Sequence, residues 1–328
     1  MRITLGPMLV PILATLVGLA ALAWSAEKFV MGAAAVARYL GMAPLLIGML
    51  VIGFGTSAPE LVVSAFAAAD GAPEIALGNA FGSNIANIGL ILGATAILLP
   101  VIVRRGVLRK ELPLLAAVTG VVWLLMADGQ ITRVDAGVLM VLLVVLIAWS
   151  ITQAAPHADD ALGQDAEAET EQRSLTRQAA WTWLGVGLVL LVVSSRVLVW
   201  GATEIATALG WSDLVIGLTV VAIGTSAPEL ASALAAARKG ENDLALGNVI
   251  GSNLFNTLGV VGLAGLISPA IVSDELLQRD LPVVMGMTLL LLVFGYRWRR
   301  DGRINRVEGV VLVLLWAGYT TYLIVGAS

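Results

Sequence analysis

Cysteine is absent from this chain, and histidine occurs once, at His157. The first absence excludes disulfides and thiolate metal sites while leaving the cellular compartment open. The second removes the residue that a histidine-metal centre or a serine-histidine hydrolase requires, because His157 falls in a polar connecting loop. Charge is scarce as well. Only 13% of the 328 residues are charged, and the formal net charge is -4. With a pI near 5.1 there is no basic surface for nucleic acid.

What fills the chain instead is apolar. Hydrophobic residues make up 59% of it, and the mean hydropathy of +0.93 lies beyond ordinary soluble domains. This is the composition of an all-α polytopic membrane protein. A helix needs about 20 mainly apolar residues to cross a bilayer. Ten stretches qualify, near 7–26, 44–69, 74–99, 107–127, 134–152, 179–207, 213–237, 243–268, 281–297 and 307–326. The first also has the form of a cleavable leader, with small residues near Ala23 and Ala26. Its internal counterpart, ending near Ser194 to Gly201, favours a retained helix.

That counterpart exists because the chain repeats itself. GTSAPEL runs from Gly55 to Leu61 and again from Gly224 to Leu230. A constant offset of 169 residues also aligns Ser25 with Ser194, Gly41 with Gly210, Asn84 with Asn253 and Asn87 with Asn256. A second phrase follows in each copy, ALGNAFGSNIAN from Ala76 to Asn87 and ALGNVIGSNLFN from Ala245 to Asn256. Chance likeness between apolar helices would match Leu, Val and Ala. The coincident residues are Gly, Ser, Thr, Asn, Pro and Glu, which points to a duplicated binding apparatus.

Five crossings per copy is an odd number, so the second copy enters the membrane from the opposite side and the repeats are inverted. The expected domains are a first five-helix repeat at 1–152 with its motif at 53–87, a linker at 153–178, and a second repeat at 179–328 with its motif at 222–256. Basic residues sort by side. One face holds Arg38, Arg104, Arg105, Arg109, Lys110, Arg173, Arg177, Arg238, Lys239 and the five arginines between Arg297 and Arg306, whereas the other holds Arg2, Arg133 and Arg279. Excess Lys and Arg mark the cytoplasmic face. Both termini are therefore expected outside, and the central loop inside. That loop carries Asp159, Asp160, Asp165, Glu167, Glu169 and Glu171; it lacks the EF-hand order of ligands and reads as a solvated tether.

Glu60 and Glu229 sit in segments otherwise fit for lipid. An acid near the middle of a bilayer costs roughly 3 kcal/mol and marks an ion or proton path by default. Neither motif stretch supplies a basic partner. Pro59 and Pro228 lack an N–H, so the carbonyls of Gly55 and Gly224 are expected to lose their helical partners at a local break. Around that break Thr56, Ser57, Glu60 and Ser64 project to one side, as do Thr225, Ser226 and Glu229, with Ala233 replacing the last serine. Ser83 and Asn87, and likewise Ser252 and Asn256, lie four apart on the adjoining helix. The donors are oxygen only, which suits hard cations such as Ca²⁺ or Na⁺.

Other polar and small residues have structural readings. Gly78, Gly82, Gly247 and Gly251 are expected to serve close helix packing. Asn84 and Asn253 fit a structural hydrogen bond as well as an ion contact. Glu27, Lys28, Arg196 and Glu204 lie toward helix ends, where snorkelling to the interface accounts for them.

These two phrases, GTSAPEL with GNAFGSNIAN and GTSAPEL with GNVIGSNLFN, resemble the alpha repeats of the cation/calcium exchanger superfamily, in its sodium/calcium exchanger branch of prokaryotic type. The resemblance covers essentially the whole chain. It implies a ten-helix alternating-access antiporter in a cell membrane, with Ca²⁺ and Na⁺ as substrates, no cofactor beyond them and no obligate protein partner. It also implies that the second, third, seventh and eighth helices surround the ions while the first and sixth slide. By motif position the ion ligands are Thr56, Ser57, Glu60, Ser83, Asn87, Thr225, Ser226, Glu229, Ser252 and Asn256, with backbone oxygens near Gly53 and Ala222. Some relatives, including those similar to potassium-dependent exchangers, have an aspartate where this chain has Asn256, and Asn there looks more like the potassium-independent members; the resemblance then implies two site charges. One Ca²⁺ or two Na⁺ neutralise them, and the family implies three Na⁺ per Ca²⁺. Proton coupling, a passive cation channel and, more distantly, an intramembrane hydrolase are the rival readings.

Overall fold

The computed structural model describes residues 5–40, 55–104, 107–154, 175–238, 242–296 and 302–326. The linker segment 155–174 and the backbone near Gly53 lie outside them.

Helix α1 spans Leu5–Tyr39, well past the apolar run, because small residues carry it through GAAAVARY. Helix α2 is described at Ala58–Ala69 and α3 at Pro73–Leu98. Helix α4 comprises Val107–Glu111 and Leu112–Leu125, α5 is Arg133–Ala154, and α6 is Arg177–Leu209. Helix α7 has two arms, Asp213–Thr225 and Ala227–Arg238, bent by 42°. Helix α8 joins Asn242–Phe255, Asn256–Val260 and Val261–Ile267; α9 is Leu276–Gly295 and α10 is Arg306–Gly326. By length and apolar composition seven of the described helices can cross a membrane, or eight with the bent pair taken as one span. The molecule is an all-α multi-pass membrane protein.

Two short antiparallel ribbons tie helix ends together. Strand β1 (Val101–Val103) pairs with β4 (Gly302–Ile304), and β2 (Gln130–Ile131) pairs with β3 (Ala270–Ile271). Paired strands must lie on the same side of a bilayer, so each ribbon requires an even number of crossings between its members.

The repeat is visible in the packing. α1 and α6 run antiparallel against each other, and their contacts come in pairs related by the 169-residue offset. A Cβ on Gly18 would fall 2.9 Å from the backbone nitrogen of Leu198, and one on Gly187 would fall 2.7 Å from the Cα of Phe29. Glycine lets the two backbones approach this closely. Ser25 and Ser194 meet at 3.4 Å, each touching its own counterpart, so the local two-fold axis passes between them. Gly78 and Gly82 likewise seat α3 on the first arm of α7, where added Cβ atoms would fall 2.6 Å from the carbonyl oxygen of Leu214 and 2.7 Å from the Cα of Leu218. No described residue faces Gly247 or Gly251 within 4 Å; the stretch related to Leu214–Leu218 by the offset, 45–49, is outside the described residues.

Arg196 departs from the expectation of snorkelling alone. Its guanidinium donates to both carboxylate oxygens of Asp70 at 2.5 and 2.6 Å and lies 4.1 Å from the centre of the Phe66 ring. The pair fixes α6 to the end of α2. Both partners are about half exposed, so Arg196→Gln is expected to lower stability by only about 1 kcal/mol, measured as a small fall in melting temperature in detergent.

Candidate functional site

The two helix breaks have one shape. Ser57 (φ -84°, ψ 8°) and Ser226 (φ -81°, ψ 7°) both leave the helical region, and each is followed by Ala-Pro-Glu at the start of a new helix. Proline is well placed there, since its missing N–H falls among those that a helix start leaves unpaired. The expectation for Gly55 needs correction. Its carbonyl is not freed, because the chain tightens and the Ala58 N–H donates to it at 3.1 Å.

Each break puts its glutamate in the first turn of the following helix, where the N-terminal end of the helix dipole favours negative charge. Ser57 heads α2 yet its hydroxyl does not cap it. It donates across the molecule to Glu229 Oε1 at 3.3 Å, and Ser226 donates to Glu60 Oε1 at 3.1 Å. The carboxylate of each repeat is thus held by the serine of the other. Both glutamates are fully buried, and neither takes part in the ion pairs of the described residues.

Several others of the expected set bond across the two repeats. Thr225 approaches Ser83 at 3.4 Å and donates to Asn79 Oδ1 at 2.9 Å, while Thr56 donates to Asn248 Oδ1 at 3.3 Å. Asn87 donates to Asn253 Oδ1 at 3.0 Å, Asn253 donates to the Asn84 carbonyl at 3.3 Å, and Asn84 donates to Thr257 at 2.8 Å. Ser252 and Asn256 are fully buried on α8. Asn87 and Asn256 each open a π-helical turn, Asn87–Leu92 and Asn256–Val260. Such turns concentrate at functional sites because they re-aim side chains.

Six buried oxygens of this region lack a hydrogen-bond partner: Glu60 Oε2, Glu229 Oε2, Asn84 Oδ1, Asn87 Oδ1, Ser252 Oγ and Asn256 Oδ1. Leaving buried polar atoms unpaired costs on the order of 1–3 kcal/mol each. The amide nitrogen of Asn256, a donor, is unpaired as well; unpaired oxygens of this kind are the donor type a hard cation takes. Asn84 makes the structural bond through its amide nitrogen, and its side-chain oxygen has no partner.

Asn79 and Asn248 were not among the expected site residues. Each bonds the carbonyl of its own repeat's glutamate, at 3.2 and 3.3 Å, as well as a threonine of the other repeat. The signal was present in the sequence, since both phrases contain Gly-Asn at the 169-residue offset.

Fold and site together define a membrane protein in which two homologous helical halves close around one buried, oxygen-lined centre. The profile of the sodium/calcium exchanger protein family matches residues 10–152 and 179–325, and the chain belongs to that family of membrane antiporters. It is 46% identical to a putative antiporter, CaxA, of Alkalimonas amylolytica, over 95% of this chain and 98% of the relative. It is 30% identical to the sodium/calcium exchanger MaX1 of Methanosarcina acetivorans, over 94% and 97%. Among solved structures, the sodium-calcium exchanger NCX_Mj soaked with 10 mM Na⁺ and no Ca²⁺ superposes with a TM-score of 0.66 at 31% identity, covering 96% of this chain and 99% of that one.

Proposed function

We propose that the protein exchanges Na⁺ for Ca²⁺ by alternating access, with sodium entry driving calcium out of the cell. Two inverted five-helix repeats, 1–152 and 179–328, are joined by a cytoplasmic linker at 153–178. Thr56, Ser57, Glu60, Ser83 and Asn87 of the first, with Thr225, Ser226, Glu229, Ser252 and Asn256 of the second, form one site for which the two ions compete. The observation that carries the reading is the reciprocal bonding of Ser57 to Glu229 and Ser226 to Glu60, which makes one centre from two acids far apart in sequence. The helices move when bound ions compensate the two carboxylate charges, because an uncompensated pair is held back by its desolvation cost.

In proteoliposomes, an outward-directed sodium gradient is expected to drive ⁴⁵Ca uptake at neutral pH with no proton gradient. Uptake that follows a pH gradient and ignores sodium overturns the coupling, and an uncoupled, non-saturating current overturns exchange itself.

The membrane orientation follows from the sorting of basic residues and agrees with the even crossing number that both strand ribbons demand. Since the chain has no native cysteine, single introduced ones report without background. In spheroplasts a membrane-impermeant maleimide is expected to label Asp128→Cys directly and Asp160→Cys only after permeabilisation. The reverse pattern inverts the topology.

A further inference from the structure

Asn79 is fully buried and makes three hydrogen bonds. Its Nδ2 donates to the Glu60 carbonyl at 3.2 Å and to Ser64 Oγ at 2.9 Å, and its Oδ1 accepts from Thr225 Oγ1 at 2.9 Å. The direction of these bonds is forced. A backbone carbonyl only accepts, so the amide nitrogen must face Glu60, the amide oxygen must face Thr225, and the Thr225 hydroxyl must donate. A hydroxyl has one proton and two lone pairs. With its proton committed to Asn79, Thr225 turns only acceptor capacity toward Ser83 and the buried centre.

The competing acceptors for that proton are the carbonyl of Ala222, at 3.3 Å, and the nearby Glu60 carboxylate. Back-bonding of this kind is the usual fate of a threonine hydroxyl in a helix. Asn79 draws the proton toward itself and thereby leaves the lone pairs of Thr225 Oγ1 available to a cation, while the Ala222 carbonyl keeps the Ser226 N–H at 3.1 Å and has one further lone pair. The second repeat repeats the device. Asn248 Nδ2 donates to the Glu229 carbonyl at 3.3 Å, and its Oδ1 accepts from Thr56 at 3.3 Å.

We propose that Asn79 and Asn248 are positioning residues of the cation site, each orienting the hydroxyl of the opposite repeat's threonine so that lone pairs face the ion, while anchoring the helical turn that carries its own repeat's glutamate. The inference rests on the reading of this centre as a cation site. An O–H dipole pointing into that centre would repel the ion it has to bind, so the orientation of one proton sets affinity without any contact between asparagine and ion.

The test is calcium titration by isothermal calorimetry on the purified full-length chain in detergent, using wild type, Asn79→Ala, Thr225→Ala and the double variant. Asn79→Ala is expected to weaken calcium binding roughly ten-fold, the effect of misdirecting one hydrogen bond to a charged group. The double variant is expected to bind no more than about two-fold worse than Thr225→Ala, since coupled residues are non-additive. Thr225→Ser, which keeps the hydroxyl, is expected to restore most of the affinity. Additive losses, or wild-type affinity in Asn79→Ala, overturn the positioning role. If Asn79→Ala does not fold, the half-buried Asn248 with Thr56 provides the same cycle. Glu60→Gln in the same titration separates the two levels. A wild type that binds no calcium, or a Glu60→Gln variant that binds like wild type, overturns the cation site; loss in Glu60→Gln beside an unaffected Asn79→Ala overturns the positioning role alone.

Discussion

Glu60→Gln and Glu229→Gln are each expected to reduce sodium-driven ⁴⁵Ca uptake at least ~100-fold, because each removes one of the two full negative charges of the centre. A unit charge about 4 Å from a divalent ion, at an effective dielectric constant of 20, contributes on the order of 8 kcal/mol. Desolvation of the ion and the carboxylate offsets much of that. A residual third, about 3 kcal/mol, is already a factor of ~100 in binding. Glutamine keeps the shape and still accepts from the serine across the repeat, so the loss reports charge rather than packing. Both carboxylates are fully buried, and each has one oxygen without a partner. Relieving an unpaired buried charge does not destabilise a fold. In sodium- and calcium-free buffer the variants are therefore expected to melt no lower than wild type while transporting almost nothing. Wild-type flux in either variant removes that glutamate from the mechanism.

The second large effect is steric. Gly78→Ala and Gly82→Ala place a methyl carbon against the backbone of Leu214, Gly217 and Leu218, with gaps of 2.6 to 2.9 Å. Backbone atoms cannot rotate away, so α3 and α7 must separate, at a cost of about 1–3 kcal/mol for each added methyl. Because Ser83 on α3 lies 3.4 Å from Thr225 on α7, a shift of even a few tenths of an ångström also opens the site. Each variant is expected to lower the melting temperature by several degrees and transport by about ten-fold. Gly286 is exposed on α9, and no described residue lies within 4 Å of a Cβ built there. Gly286→Ala should leave both measurements unchanged or raise stability slightly, since alanine is the better helix former. Equal behaviour of all three variants refutes the close approach of α3 and α7.

Much of this was legible in the sequence for one physical reason: the chain states its polar pattern twice. Repetition of Glu, Ser, Thr and Asn at a fixed offset is improbable among lipid-compatible helices unless a shared centre needs it, so Glu60, Ser57 and their counterparts could be singled out without coordinates. Asn79 and Asn248 belong to the same phrases, yet the role proposed for them lies in the direction of a hydrogen bond, which residue spacing does not encode. The pairing of Arg196 with Asp70 is not legible in the sequence, because its members lie 126 positions apart. The fate of the Gly55 carbonyl depended on how sharply the chain turns before Pro59, a local dihedral choice that the proline permits without dictating.

The reciprocal grip of serine on glutamate also bears on cohesion. Each half of the chain contributes a carboxylate it cannot satisfy alone, and it borrows its hydroxyl from the other half. On the proposed function, an ion seated between them would act as mortar as well as cargo, linking occupancy thermodynamically to the clasp of the two halves. At a concentration one hundred times its dissociation constant, such a ligand adds about 2.7 kcal/mol to the folded state. A chain severed between the repeats would accordingly owe its reassembly to the same metal it carries.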